Sequence, residues 1–157
     1  MAQAFVLTVS DGVHAGTRED RSGEALERLL SGHGFEVTRW VVPDEAPEIA
    51  TAIREAVMSG VELVVSTGGT GLGPRDVTPQ ATAPLLDYEV PGLAEEMRRA
   101  GVSSTPMAAL SRSQAGVARR TLILNLPGSE RGATESLEAV LPVLDHALQL
   151  LRGETKH

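Results

Sequence analysis

Two aspartates stand where they could do chemistry. Asp44, in VVPDEAP, closely follows a β-prone apolar run, and Asp76, in GPRDVTP, stands near the far end of the glycine-rich loop that follows another. Two carboxylates brought to one strand edge supply the hard oxygen ligands that suit Mg²⁺. Each aspartate also has a plainer reading. Pro-Asp followed by Glu45 and Pro47 is a helix N-cap signal for Asp44. Asp76 could pair with adjacent Arg75 or help cap a helix in which Thr78 is the N-cap and Pro79 the first helical residue.

The segment STGGTGLGPRDVTPQA, residues 66–81, surrounds Asp76 with Gly68, Gly69, Gly71 and Gly73. Glycines without Cβ atoms let successive backbone N–H groups curl around an anion. Ser66, Thr67, Thr70 and Thr78 add hydroxyl donors, and Arg75 adds a fork that suits phosphate. The alternative is a tight turn that needs glycine for its dihedral angles alone. Neither the P-loop nor the dinucleotide fingerprint matches this spacing.

Further polar clusters are Ser10 and Asp11 in VSDG, Ser111, Arg112 and Ser113 in SRSQAG, and Gly128 and Ser129 in LPGSERGA. The last offers amide and hydroxyl donors at a helix start, a second candidate anion site. Cysteine is absent, and the four histidines, His14, His33, His146 and His157, have no metal-site spacing. Thiolate chemistry is thereby excluded and a zinc site disfavoured. Only His14 falls in these loops, and no Ser-His-Asp set is readable. The chemistry indicated is phosphoryl or nucleotidyl transfer by positioning and metal charge.

The net charge of −7 and a single lysine, Lys156, leave no basic stripe for a nucleic-acid backbone. Any phosphate site must therefore be built locally from arginines, amide dipoles and a bound cation. No apolar run approaches the roughly 18 residues of a membrane span, and the first residues lack signal-peptide features. A cytoplasmic protein with no membrane partner is expected.

The elements that must position these residues alternate between two periods. AFVLTVSDG, FEVTRWVV, VELVVSTGG and RTLILNLPG read as strands that run into turn or loop residues, the first and last of them buried. RSGEALERLLSGHGF, with Gly32 and Gly34 as stop signals, PDEAPEIATAIREAVMSG and GATESLEAVLPVLDHALQLLRG read as helices, with Pro142 as a bend or break in the last. TPQATAPLLDYEVPGLAEEMRRAG reads as a short and a longer helix parted near Pro91. The expectation is an α/β fold, a three-layer α/β/α sandwich with a mainly parallel central sheet. A single domain spans 1–157, with its core at about 4–152 and a short tail at 153–157. The polar loops should then converge at the carboxyl ends of the strands.

Taken together, TVSDG, DRSGEAL, VVPDE, STGGTGLGPRDVTPQA, LSRSQAG and LILNLPGS resemble the molybdopterin-binding domain family of molybdenum-cofactor biosynthesis. The resemblance covers nearly the whole chain. It implies a homotrimer that transfers AMP from Mg-ATP, the co-substrate, to the terminal phosphate of molybdopterin, releasing pyrophosphate and handing the product to a molybdate-inserting enzyme. Under it, Asp44 and Asp76 match the functional aspartates, assigned to Mg²⁺ and the α-phosphate. Thr67, Gly68, Gly69, Thr70 and Gly71 match the nucleotide loop; Ser10, Asp11, Ser22, Ser111 and Arg112 match ligand-lining positions. The chain departs from the family after LPGS, where Glu130 and Arg131 replace a proline and a lysine. Competing functions are a molybdopterin-binding paralogue without adenylylation and an oligomeric interaction module.

Overall fold

The computed structural model describes residues 1–154; Lys156 and His157 lie outside them. Six strands form one sheet in the order β2-β1-β3-β6-β5-β4. β1 (Gln3–Val9), β2 (Glu36–Val42), β3 (Leu63–Thr67) and β6 (Thr121–Leu126) run parallel, while β5 (Ala115–Ala118) and β4 (Tyr88–Glu89) add an antiparallel edge.

Residues alternate between two apolar layers, as the two-residue period of a strand requires. Val6, Val65 and Leu124 face α2 (Arg21–Gly32), α5 (Pro91–Val102) and α6 (Glu130–Leu151), whose Leu26, Leu30, Met97, Leu137, Val140 and Leu144 cover them. Leu7, Val64 and Ile123 face the other way, onto Ile49, Ile53 and Val57 of α3 (Ala46–Ser59) and Ala81 of α4 (Thr78–Thr82). The sheet is thus covered on both faces, as expected of near-continuous apolar strands.

Several boundaries differ from the sequence reading. The linker before Pro91 contains β4, and Pro91 begins α5, where a missing N–H costs nothing. α6 runs through Pro142 without a break; Glu138 and Pro142 are both exposed, so the carbonyl left without a donor faces water. A four-residue helix, α1 (Asp11–His14), was not foreseen.

From β1 the chain winds outward to β2 on one side and returns past β1 to β3 on the other, with α2 and α3 on opposite faces. Such a switch point leaves a crevice beyond the strands' carboxyl ends. The ends are tied there: Ser10 N donates to Val42 O at 3.0 Å, Gly68 N to Leu126 O at 3.0 Å, and Thr67 Oγ1 to Pro127 O at 2.7 Å.

Candidate functional site

The loops leaving β1 and β2 lock together through their aspartates. Asp11 N donates to Asp44 Oδ2 and Asp44 N to Asp11 Oδ1, both at 2.9 Å. Asp44 is therefore no helix cap; Glu45 occupies that position in α3 and makes no side-chain cap bond. Arg75 turns away from Asp76 and forks onto Asp11 at 3.0 and 3.1 Å, with Glu45 at 3.1 Å. The Arg75-Asp76 pair, one of the plainer readings of Asp76, does not form, and the guanidinium is already engaged by two carboxylates.

In the glycine loop, Gly68 and Gly69 have φ of +105° and +72°, where L residues are strained. Thr78 is the first residue of α4, not its cap, which is Val77. Its buried hydroxyl donates to Gly68 O at 2.9 Å and its N–H to Gly69 O at 3.1 Å. Thr78 thus braces the loop from beneath. Among the described residues, the N–H groups of Gly69, Thr70 and Gly71 find no acceptor in the protein, which leaves them free as anion donors. Asp76 Oδ2 accepts from Gly73 N at 2.9 Å, its carboxylate lying against Gly71 and Gly73.

Two clefts meet over this loop. A polar one of about 690 Å³ is lined by Ser10, Arg18, Arg21, Ser22, Asp44, Thr67, Gly68 and Glu130. A more apolar one of about 450 Å³ is lined by Met97, Met107, Ala108, Leu110, Pro127, Thr70, Gly71 and Ser111. Gly69, Asp76, Gly128 and Ser129 belong to both. The first turns of α2 and α6 open onto the polar cleft, so two helix N-termini contribute positive potential there.

Of the residues singled out from sequence, Asp11, Arg75, Thr78, Arg112, His14, Ser66 and Gly73 line neither cleft; the first four act on neighbouring loops, and Ser66 is buried, its hydroxyl accepting from Asn125 Nδ2 at 3.0 Å. Ser129 caps α6 through Gly132 N at 3.0 Å, and Glu130 sits in its first turn, where a negative charge is favourable. Arg131 pairs with Glu135 at 2.7 Å. Sequence reasoning assigned no role to Arg18, which lies in the loop before α2, or to Arg21, the first residue of α2 and part of DRSGEAL, and it missed the methionines, which look like ordinary core residues. Of the arginines lining the two clefts, Arg18 alone makes no hydrogen bond or ion pair with the described residues.

Burial pushes the Asp44 carboxyl above its ordinary range; the Asp11 N–H opposes this, and the charges of Asp11 and Asp76 add to it. Arg75, followed by the Asp44 N–H, holds Asp11 below its ordinary range. No three His, Cys, Asp or Glu side chains among the described residues are grouped to hold a metal. The set is instead Asp44 and Asp76, each with one carboxylate oxygen free of protein hydrogen bonds. Mg²⁺ is commonly bound through one or two carboxylates plus water and substrate phosphates. The donors fit that chemistry, and they do not fit a structural metal.

Comparison with known proteins follows the same lines. The sequence profile described as "Probable molybdopterin binding domain" matches residues 5–146. The chain is 43% identical to the molybdenum cofactor biosynthesis bifunctional protein of Synechococcus elongatus, covering 96% of itself and 47% of that protein. It thus spans about half the length of this relative. It is 38% identical to the molybdopterin adenylyltransferase of Helicobacter pylori, with 94% and 86% covered. The crystal structure of the molybdopterin biosynthesis enzyme MoaB of Thermus thermophilus superposes with a TM-score of 0.91, at 57% identity and 98% coverage of each chain.

Proposed function

We propose, from the premise that the chain belongs to the molybdopterin-binding domain family, that it serves molybdenum-cofactor biosynthesis as a molybdopterin adenylyltransferase. The observation that carries this reading is the junction of two unlike clefts over Gly69, Asp76, Gly128 and Ser129. A planar ring suits the methionine-lined cleft, and phosphates suit the polar cleft with its helix N-termini and arginines. The reacting phosphates would then meet at the junction.

There, an oxygen of the terminal phosphate of molybdopterin attacks the α-phosphorus of ATP, and the bond to the β-phosphate oxygen breaks, releasing pyrophosphate. Asp44 and Asp76 would hold Mg²⁺, which when bound supplies positive charge to the crowded phosphates. The free amides of Gly69, Thr70 and Gly71 bind phosphate oxygens, and Arg18 and Arg21 lie on the polar side. Asp11 and Arg75 hold the Asp44 loop. A cytoplasmic homotrimer that passes its product to a molybdate-inserting enzyme completes the proposal.

The direct test incubates purified protein with molybdopterin and Mg-ATP and measures adenylylated pterin and pyrophosphate. Equimolar formation of both supports the transferase. Pterin binding with intact ATP makes the chain a binding paralogue, and binding of neither leaves an interaction module.

Asp44→Asn separates chemistry from folding. The native state holds the Asp44 proton more tightly than the unfolded chain does, so its ionisation costs stability as pH rises from the ordinary carboxylate range through the raised native value. At pH 7 asparagine removes that cost and can still accept from Asp11 N. The melting temperature should hold or rise while Mg²⁺-dependent turnover falls. A lower melting temperature with normal turnover would return Asp44 to a structural role.

Arg18→Ala should weaken ATP binding about fivefold to tenfold, as loss of one partly exposed charged contact worth ~1 kcal/mol implies. Titration calorimetry in low salt reads this directly. Unchanged affinity removes Arg18 from the site.

A further inference from the structure

We propose that Arg112 is a positioning residue, a clasp that fixes the loop carrying Asp76 and touches no substrate itself. Its contacts are all with that loop and the helix after it. Arg112 N donates to Thr70 O at 2.9 Å, Nε to Gly71 O at 2.9 Å, Nη2 to Asp76 O at 2.7 Å and Nη1 to Gln80 Oε1 at 3.1 Å.

The bonds to Gly71 and Asp76 bracket the excursion that contains Leu72, Gly73, Pro74 and Arg75. All four of those residues are exposed, so apolar packing does not hold the excursion in place. Within it, the polar ties are Gly73 N to Asp76 Oδ2 and Asp76 N to Gly73 O, which move together with Asp76; the Arg75 side chain reaches out to Asp11 and Glu45, a tie through an exposed side chain and not through the Asp76 backbone. The link from Asp76's own carbonyl to the rest of the fold is the Arg112 guanidinium. A planar fork can reach two carbonyls and an amide oxygen in different directions, which a single ammonium cannot reproduce.

Arg112 is flanked by Ser111 and Ser113, both of which line the apolar cleft. The clasp therefore joins that cleft's wall to the loop bearing Asp76, and loss of the guanidinium should let the carboxylate drift while both ligand sites survive. Misplacement of a reacting group by about 1 Å can cost on the order of 10²-fold in rate.

The activity arm of the test rests on the adenylyltransferase reading; the hydrogen-exchange arm does not. In Arg112→Ala, the amides of Gly73, Asp76 and Thr78 should exchange at least about tenfold faster, with β6 and α6 unchanged. The kcat should fall about 10²-fold with KM for Mg-ATP nearly unaltered. Millimolar guanidinium, but not urea, should restore part of the rate. Arg112→Lys should show the same faster exchange, and it decides the matter if the alanine variant does not fold.

Wild-type exchange at those amides overturns the proposal. So does a raised KM with unchanged kcat and exchange, which would make Arg112 a ligand contact. If the wild-type protein forms no adenylylated pterin, the functional reading fails and loop exchange alone judges Arg112.

Discussion

Asp76→Asn is expected to lower turnover by about 10²–10³-fold while leaving the fold and ATP binding largely intact. The two side chains are isosteric, and the asparagine oxygen can still accept from Gly73 N, the bond Asp76 Oδ2 makes at 2.9 Å. Gly71 and Gly73, which crowd that carboxylate, meet an atom of the same size. Loop geometry is therefore retained, and stability should change by no more than ~0.5 kcal/mol, as for a half-exposed substitution that breaks no contact.

What disappears is a full negative charge at the junction of the two clefts. Several kcal/mol of charge stabilisation convert at about 1.4 kcal/mol per decade into the predicted loss. The measurements are kcat and KM across a Mg²⁺ titration, with a thermal melt alongside. A fall confined to kcat, partly relieved by excess Mg²⁺, supports the assignment. A wild-type rate means that Asp76 serves the loop alone and the metal reading of this residue is wrong.

The parallel half of the fold was legible because β1, β3 and β6 are apolar runs, β2 is rich in valine and carries Trp40, and its helices show a clear apolar face. Ile49, Ile53, Ala56 and Val57 of α3 are buried as their spacing requires. The antiparallel edge was not legible. β5 is AGVA, four small residues without alternation, and the two residues that turn it into β6 are Arg119 and Arg120. Arg119 takes φ of 56° where a hairpin signal would be glycine or asparagine, so the turn carries no mark in the sequence.

The site divides similarly. Residue types at strand exits identified which loops converge, because the sheet brings those ends together whatever the detail. Roles within the loops depended on bonds between residues far apart in the chain. Arg75 lies beside Asp76 in sequence yet pairs with Asp11, and Arg112 reaches back to Gly71 and Asp76. Local spacing favoured capping for Asp44 and Thr78, and the tertiary contacts with Asp11 and Gly68 won.

Gly68→Ala should be the most damaging single methyl in the molecule. Gly68 adopts φ of +105°, and an added Cβ would lie 2.2 Å from Val9 O. That atom belongs to the end of β1, so it cannot rotate aside as the Thr78 hydroxyl could for a methyl at Gly69. Gly68 N is bonded to Leu126 O, Gly68 O accepts from Thr78, and Gly128 packs against its Cα. The ends of β1 and β6 and the start of α4 thus meet on one residue without a side chain. Relief requires moving the sheet edge or the loop; strain and overpacking each cost about 1–3 kcal/mol. At ~2–4 °C per kcal/mol for a chain of this size, the melting temperature should drop by roughly 5–15 °C. Activity should fall further than stability alone explains, because any shift carries Asp76 with it. Gly92→Ala is the matched control: its φ is ordinary, nothing lies within 4 Å of the added carbon, and alanine favours the helix it occupies. Paired melts and turnover of the two variants decide the point. If Gly68→Ala melts with the wild type, Gly68 is not the steric keystone of the cleft floor, and the loop's glycines serve flexibility instead.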